Sequence, residues 1–321
     1  MRRSTGIRSR PVRHAEGHID VITARIVGGL GNQMFQYAAA LALARHHGTD
    51  VRLDIGEFRV NTARRFQLRM LQVGAAVADD AASEVERLET VPRALVATGE
   101  MVRRIGRRIA PRTDEIYHEP TFHFDPGFFD LKPPVTLSGY FQSERYFTSV
   151  ADEVRQQFKL LRPLPAGALA VAERVERTPV AVSVHVRRGD YVNQPDAARV
   201  HGVHGADYYR RATNIIEAGL GSNVTFFVFS DEPETASSIL DFLPRERLVL
   251  VKGDPDRPWD DLTVMSRCHH HVVANSSFSW WGAWLNPRPD KRVVAPRAWF
   301  TTSELRQKNT CDLYPDHWIL V

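Results

Sequence analysis

Apolar runs, glycine turns and amphipathic stretches alternate along the chain. An apolar run over residues 21–27 predicts a buried strand, and the glycine-rich residues 28–31 predict a tight turn. Residues 32–47 have the composition of an apolar helix, which Gly48 closes. A second strand follows over residues 51–55, and this strand, turn, helix, strand order is typical of a parallel doubly wound sheet.

The alternation continues to the end of the chain. A helical pattern extends over residues 75–112, a strand is predicted at 135–141 and a helix at 152–161. In the second half the predicted strands are 180–186, 224–229, 248–251, 270–274 and 292–295, and the predicted helices are 207–218 and a segment that begins at about residue 277. The chain therefore has the pattern of an α/β protein with two similar halves.

A short polar segment with two prolines separates these halves. Arg162-Pro-Leu-Pro165 interrupts regular structure, so we place a domain boundary at residue 163. Residues 1–19 are basic, polar and without periodicity, which predicts a disordered leader. We expect an N-terminal domain over 20–163 and a C-terminal domain over 164–321, both α/β, Rossmann-like and doubly wound, with a ligand cleft between them.

The composition favours a globular protein inside the cell. Of the 321 residues, 43% are hydrophobic and 25% are charged, which is enough apolar material for two cores. No run reaches the roughly 18 apolar residues of a membrane span, and the first ten residues lack the apolar centre of a signal peptide. Cys268 and Cys311 fit reduced, buried thiols. We expect a cytoplasmic protein.

The basic residues favour anionic ligands. The net charge is +4 and the pI about 9.2, and nearly all the basic residues are arginine, which prefers planar contacts to phosphate. Nucleic acid is not expected as a partner, because zinc-finger spacing, RNA-recognition signatures and interleaved basic and aromatic stripes are missing from the sequence. Arg103, Arg104, Arg107 and Arg108 share a predicted helix face, for which we favour solvent over peripheral contact with an anionic inner membrane.

The residues directly after several predicted strands are unusually polar. In an open parallel sheet, ligands bind beyond the carboxyl ends of the strands. Four predicted strands run into such segments, which are the turn ending at Gly31, the run His185-Val-Arg187-Arg188-Gly-Asp190, the pair Ser230 and Asp231, and the run Asn275, Ser276 and Ser277. The sequence therefore predicts a polar site at the strand ends.

These residue types suit a diphosphate. Charge that builds on a departing diphosphate is stabilised either by a divalent metal or by fixed cations and amide donors. Arg187 and Arg188 can supply the cations, while Ser276, Ser277 and the first turn of the helix that follows can supply hydrogen-bond donors. A salt-bridged turn is the structural alternative for the two arginines.

Four segments in order carry a more specific resemblance. They are Gly28 to Tyr37 (GGLGNQMFQY), His185 to Tyr191 (HVRRGDY), Phe229 to Asp231 (FSD), and Met265 to Cys268 (MSRC) with Asn275 to Leu285 (NSSFSWWGAWL). Together they resemble the motif set of bacterial alpha-1,2-fucosyltransferases, glycosyltransferase family 11, from about residue 21 onward. The resemblance implies a GT-B-like fold, GDP-fucose as donor, no metal, and inverting transfer to a galactose-containing glycan of the cell surface, such as lipopolysaccharide or O-antigen. The implied acceptor group is the 2-hydroxyl of a terminal galactose.

The resemblance also assigns roles to individual residues. Related fucosyltransferases share a His-x-Arg core whose arginine binds the donor diphosphate, which implies this role for Arg187 and a bracing role for Arg188. His185 would lie near the guanine or the diphosphate, with a histidine satisfied by backbone bonds as the alternative. Asp261 lies 15 residues before Ser276, the spacing at which related enzymes place the carboxylate that binds guanine.

Two further roles are less well defined. Asn32, after Gly31, is similar to the asparagine that protein O-fucosyltransferases bring to the diphosphate from the opposite domain, and a helix cap is its alternative. Asp190 is the candidate general base nearest the arginines, with an aspartate that only pins its own turn as the alternative. In alpha-1,6-fucosyltransferases the proposed base is a glutamate a few residues after the arginines, but Pro195 stands there in this sequence.

Weaker signals favour other enzymatic functions. The turn Gly29-Leu-Gly31 with Asp54 partly matches a dinucleotide-binding fingerprint, but Met34 replaces the third glycine, so a nicotinamide oxidoreductase is a secondary hypothesis. Asp254-Pro-Asp256 matches the Asp-x-Asp pattern of metal-dependent glycosyltransferases. Its glycine and proline neighbours favour a plain turn.

Two remaining clusters are interpreted as structural. His269, His270 and His271 would alternate between the faces of a strand, so we assign no metal to them. Trp280, Trp281, Trp284 and Trp299 could stack on sugars in a non-catalytic carbohydrate-binding protein. Because of the large area that each ring buries, we favour a place in the core.

Overall fold

A computed structural model of the protein contains two parallel β-sheets with helices packed on them. The structure describes residues 20–60, 64–78, 115–188, 202–221, 223–301, 303 and 308–321. The leader predicted at residues 1–19 and the cluster from Arg103 to Arg108 lie outside these ranges. No helix in the described part of the chain is long and apolar enough to cross a bilayer.

The first sheet has five parallel strands in the order β3-β2-β1-β5-β4. Its strands are β1 (Val21–Arg25), β2 (Asp50–Asp54), β3 (Ala76–Val77), β4 (Glu115–His118) and β5 (Val135–Ser138). The helices that accompany it are α1 (Leu30–His47), α2 (Glu57–Val60) and α3 (Ala151–Gln157). As predicted, Gly48 ends α1, in a left-handed conformation with φ of 65° that costs glycine little.

Strand β3 corrects one prediction. Ala76 and Val77 pair with Arg52 and Leu53 at the edge of the sheet, although the sequence pattern predicts helix over residues 75–112. A two-residue strand is too short to display a period of two, so the helical pattern of the following residues masks it. Strand β4, at the opposite edge, also lacked a sequence signal.

The second sheet has six parallel strands in the order β11-β10-β9-β6-β7-β8. Its strands are β6 (Ala181–Val186), β7 (Thr225–Ser230), β8 (Leu248–Val251), β9 (His270–Val272), β10 (Val293–Ala295) and β11 (Ile319–Leu320). The helices around it are α4 (Ala166–Arg177), α5 (Ala206–Leu220), α6 (Pro233–Ile239), α7 (Pro258–Arg267) and α8 (Ser277–Leu285). The five strands predicted in the second half of the sequence are confirmed.

The histidines of β9 take part in internal hydrogen bonding. His271 is fully buried, with Nδ1 2.7 Å from the Ser183 hydroxyl and Nε2 2.9 Å from the Asn286 amide nitrogen. Burial holds the pKa of His271 well below its usual value, so the ring is neutral.

Of the two free cysteines, Cys268 is buried, as expected. Cys311 is exposed, which corrects the prediction of a buried thiol at that position.

Helices α1 and α8 are packed side by side and connect the two sheets. The backbone of Gly31 lies against that of Ser277 and Phe278, and one turn later the ring of Phe35 lies 4.5 Å from Trp280 and 4.8 Å from Trp281. The two helices therefore run in the same direction, with their N-termini together. Trp281 also donates its indole N–H to the Gly31 carbonyl at 2.9 Å.

The tryptophans are core residues, as predicted. Trp280 and Trp281 are fully buried, and Trp284 and Trp299 are nearly so. The rings of α8 belong to the same hydrophobic cluster as Phe35 on α1, so the core of the first sheet continues into the second domain. Burial of this aromatic area stabilises the contact between the domains.

The approach of α1 to α8 depends on the absence of a side chain at Gly31. A Cβ at this position would lie 2.5 Å from the Ser277 carbonyl carbon and 2.7 Å from the Phe278 nitrogen, both backbone atoms. We predict that Gly31→Ala lowers the free energy of unfolding by about 1–3 kcal/mol, the usual cost of overpacking. Denaturant unfolding would measure the change.

Gly29→Ala is the matched control, because a Cβ at Gly29 would have no atom within 4 Å and its φ of −77° is open to any residue. We expect Gly29→Ala to lower the free energy of unfolding by only about 0.5 kcal/mol, because an N-cap prefers glycine to alanine. Equal stability of the two variants would contradict the close-contact account of Gly31.

Candidate functional site

The C-terminal edge of the second sheet brings the predicted arginines to Asp231. Strands β6 and β7 pair in register up to Val186 and Ser230, so the next residues, Arg187 and Asp231, are neighbours. Asp231 Oδ2 lies 2.9 Å from Arg187 Nη1, and Oδ1 accepts the Arg188 backbone N–H at 3.0 Å. Asp231 therefore fixes the arginine turn, which gives it a positioning contact that the sequence did not predict.

The same strand end lies beside the start of α8. Strand β6 also pairs with β9 as far as Val184 and Val272, so the segments that carry Arg187 and Asn275 leave the sheet at the same edge. The ring of His185 lies 5.6 Å from that of Phe278 in the first turn of α8. The arginine turn and the N-terminus of α8 thus form one site.

His185 is buried and uncharged. It is 4% exposed, its Nδ1 has no hydrogen-bond partner among the described residues, and its carbonyl accepts the Tyr209 hydroxyl at 3.1 Å. Burial, helped by the nearby charge of Arg187, lowers the pKa of His185 to about 3. A histidine in this state can orient a ligand by hydrogen bonding but contributes no positive charge near neutral pH.

Three residues shape the start of α8. Ser276 is the N-cap and is extended, and Ser277 begins the helix. The Asn275 amide nitrogen lies 3.4 Å from the Gly202 carbonyl and 3.3 Å from the Trp299 carbonyl, so this buried side chain connects the loops that precede α5 and follow β10. The N–H groups of the first helical turn carry partial positive charge that suits an anion.

A second helix N-terminus is directed at the same place. The N-cap of α1 is Gly29, so Asn32 lies inside the helix and is not its cap. The Asn32 side chain instead accepts a hydrogen bond from the Gln142 amide at 2.9 Å. Because Gly31 is packed on Ser277, the two helix ends together place about one positive charge at the junction.

Three glutamines that the sequence analysis missed hold the turn at the start of α1. Gln33 donates to the carbonyls of Gly28 and Arg65, both at 2.8 Å, and Gln36 donates to that of Gly139 at 3.1 Å. Gln142 adds its bond to Asn32. Polar residues three apart on an otherwise apolar helix were the available signal for Gln33 and Gln36.

Asp261 lies near the end of β8. It belongs to the first turn of α7, and a Cβ at Gly253, two residues after the strand, would collide with its carboxylate. Burial raises the pKa of Asp261 to about 6, and the charges of Asp260 and Asp254 add to the rise. Ser230 is the last residue of β7, the strand between β6 and β8. Its hydroxyl accepts the Glu232 N–H at 3.0 Å and so caps a turn.

The other candidates are placed as follows. Asp254 accepts the Asp256 N–H at 2.9 Å, which confirms the turn predicted for Asp254-Pro-Asp256. In the described ranges, His, Cys, Asp and Glu side chains form no group of three that could hold a metal ion. Met34 is fully buried. Asp190 lies outside the described residues.

Comparison with known proteins adds the family. The sequence profile of glycosyl transferase family 11 matches residues 129–321. The O-antigen biosynthesis glycosyltransferase WbnK of Escherichia coli is 31% identical over 91% of this chain and 97% of its own length. The Escherichia coli alpha-1,2-colitosyltransferase is 28% identical over 94% of this chain and 99% of its own length.

A solved structure supports the fold. FUT1 of Arabidopsis thaliana, a mutant in complex with GDP, superposes with a TM-score of 0.50 at 10% identity, covering 94% of this chain and 76% of that chain. The likeness supports the two-domain GT-B fold that the family resemblance implied. With the family profile and the bacterial relatives in agreement, the chain belongs to glycosyl transferase family 11.

Proposed function

We propose that the protein transfers L-fucose from GDP-fucose to a sugar hydroxyl with inversion at the anomeric carbon. The observation that carries the proposal is the convergence of Arg187, held by Asp231, with the N-termini of α1 and α8. Fixed positive charge of this kind stabilises the diphosphate that leaves in such a reaction. Names of the bacterial relatives support glycosyl transfer in general.

The order of the strands gives the donor an orientation. Asn275 follows β9, Arg187 follows β6, and Gly253, against which Asp261 is packed, follows β8. Strands are spaced by about 4.8 Å, so Asp261 lies roughly 10 Å along the edge from Arg187. We infer that the diphosphate binds at β6 and β9 and that the guanine reaches Asp261.

The chemistry follows from this placement. The acceptor oxygen attacks the anomeric carbon from the side opposite the diphosphate, and GDP leaves with the bonding electrons. Arg187 and the two helix ends are already in position where the negative charge grows, so little reorganisation is needed. Arg188, Asn32 and Ser276 would complete the contacts to the phosphates, and His185 would act as a neutral hydrogen-bonding group.

The acceptor is proposed to bind mainly to the N-terminal domain, over residues 20–163. A galactose-containing glycan of the cell surface, such as an O-antigen repeat, fits the naming of the relative WbnK. An alpha-1,2 linkage to the galactose 2-hydroxyl is the proposed product. Work on such an acceptor would place the protein in the cytoplasm, in peripheral contact with the inner membrane.

A second donor sugar is favoured by one observation. The relative named alpha-1,2-colitosyltransferase matches 94% of this chain, and colitose is fucose without its 3-hydroxyl. The diphosphate site would serve both sugars equally, because the difference lies on the sugar ring. The linkage and the metal independence of the reaction would be the same.

The donor is tested by comparing GDP-fucose, GDP-colitose and GDP-mannose with a galactose-terminated acceptor. We expect release of GDP and formation of an alpha-1,2-linked product with GDP-fucose, undiminished by excess chelator. Faster transfer from GDP-colitose would replace fucose by colitose in the proposal. Complete loss of transfer in chelator, with recovery on adding Mg²⁺, would contradict the metal-independent mechanism.

Arg187 is tested by substitution. We predict that Arg187→Ala lowers kcat by at least about a hundredfold, the scale of losing one dedicated group that stabilises charge in the transition state. Arg177→Ala is the control, because this arginine is 72% exposed on α4 and forms an ion pair with Glu173 one turn away. A loss of tenfold or less in Arg187→Ala would remove the arginine from its central role.

Asp261 is tested through the base that it is proposed to bind. An ionised carboxylate accepts from the N1–H and 2-amino groups of guanine, so we predict that Asp261→Asn weakens GDP binding about ten- to hundredfold. In the intact protein, GDP affinity should fall as the pH drops below about 6, because the carboxyl group is then protonated.

Calorimetry with GDP and inosine diphosphate, which lacks the 2-amino group, would separate this role from a general loss of folding. We expect the intact protein to prefer GDP and Asp261→Asn to have lost the preference. Asp256→Asn is the control, since its side chain is 78% exposed in the neighbouring turn. An unchanged preference for GDP in Asp261→Asn would place the guanine elsewhere.

A further inference from the structure

Glu119 lies at the C-terminal edge of the first sheet, in the part of the molecule that faces the acceptor. It directly follows β4, and its N–H donates to the Ser138 carbonyl of β5 at 3.0 Å. Its carboxylate accepts the backbone N–H groups of Tyr140 at 2.7 Å and Phe141 at 3.0 Å, and the side chain remains partly exposed. Each carboxylate oxygen keeps a further lone pair for a ligand.

One chain of contacts connects Glu119 to the turn of α1. Phe141, whose N–H binds the carboxylate, has a left-handed φ of 53°, which is costly for a residue with a side chain and needs support from its surroundings. The next residue, Gln142, donates to Asn32 at 2.9 Å. The carboxylate after β4 and the turn of α1 after β1 are therefore two strands apart on one sheet edge, or roughly 10 Å.

A second chain of contacts connects Glu119 to the second domain. Three residues after it, Phe122 packs edge-on against Phe300, with ring centroids 5.0 Å apart. The neighbouring Trp299 carbonyl accepts the Asn275 amide at 3.3 Å. Glu119 thus lies between two segments of the first sheet, one joined to the turn of α1 and the other to the loop of Asn275 beside the proposed donor site.

The protein environment favours the protonated form of the Glu119 carboxyl group more than bulk water would. Burial raises the pKa of Glu119 to about 7, and the negative charge of Asp312 adds to the rise against the two backbone hydrogen bonds. Among the described residues, Tyr117 and Tyr146 also interact with the charge of Glu119, and both contact Asp125, while Arg145 lies 4.0 Å from Asp312. A carboxylate with a pKa close to the working pH is well suited to accept a proton in a reaction.

We propose that Glu119 is the general base that accepts the proton of the acceptor hydroxyl. This inference rests on the proposed function. In the step, the acceptor O–H bond breaks and its proton passes to the Glu119 carboxylate, while the oxygen bonds to C1 of the donor sugar. The bond from C1 to the phosphate oxygen breaks, and GDP carries away the electron pair. The exposed ring of Tyr140, 46% exposed beside the carboxylate, gives the acceptor sugar a surface on which to pack.

The test is the dependence of kcat on pH in the intact protein and in Glu119→Gln. We expect kcat of the intact protein to fall about tenfold per pH unit below pH 7, because the protonated carboxyl group cannot accept a proton. Glu119→Gln should lose at least about a hundredfold in kcat and lack this acidic limb, while its GDP affinity stays unchanged. Glu115→Gln, at the exposed start of the same strand, is the control with normal kcat.

The dependence of kcat on pH in Asp312→Asn is a further test, because a purely structural role of Glu119 would not shift it. Asp312 is 5% exposed and accepts the Phe124 N–H at 2.8 Å, and removal of its charge should lower the pKa of Glu119. The acidic limb should then move to lower pH. The assignment is overturned if kcat of the intact protein is flat between pH 6 and 8, or if folded Glu119→Gln keeps more than a tenth of the normal kcat.

These outcomes are separate from those of the proposed function. Release of GDP from GDP-fucose by the intact protein, with a galactoside present, supports the proposed function whatever Glu119 does. Loss of kcat together with loss of GDP affinity in Glu119→Gln would point to support of the turn at Phe141 and would also overturn the role as base.

Discussion

The close contact between the N-terminal turns of α1 and α8 is the constraint on which the site depends. Gly31 allows two backbones to meet, and Trp281 closes the contact with its bond to the Gly31 carbonyl. Two parallel helices bring like ends of their dipoles together, which is unfavourable unless an anion or its equivalent is nearby. The aromatic cluster around Phe35 stabilises this arrangement and so keeps positive charge in place at the proposed diphosphate site.

The same contact explains which groups each half of the chain contributes to the candidate site. The second sheet supplies Arg187 and its partner Asp231, whereas the first supplies the turn of α1 and the edge that carries Glu119. Asn275 and Gln142 extend the connection by holding loops on either side of the cleft. In the proposed reaction, donor and acceptor would meet where the two sheets approach each other, with positive charge supplied from both.

The sequence predicted the strongly periodic parts of this structure and the polar strand ends. Residues 248–251 are an apolar run bounded by polar ones, and that is where β8 lies. The sequence did not predict strand β3 or the position of Glu119, because a two-residue strand and a single carboxylate leave no periodic signal. The bond of Asp231 to Arg187 also could not be predicted, since it depends on β6 and β7 being neighbours in the sheet, which hydrophobic periodicity does not encode. The roles of the glutamines on α1 depend in the same way on loops distant in sequence.

We infer that fixed positive charge at the junction of the two domains, and not the base or the sugar, provides most of the donor affinity. It is tested most directly by titrating the protein with guanosine, GMP and GDP in a calorimeter at one salt concentration. We expect affinity to rise steeply from guanosine to GDP and this rise to be lost in Arg187→Ala, with guanosine affinity unchanged. Equal affinities for guanosine and GDP in the intact protein would contradict it.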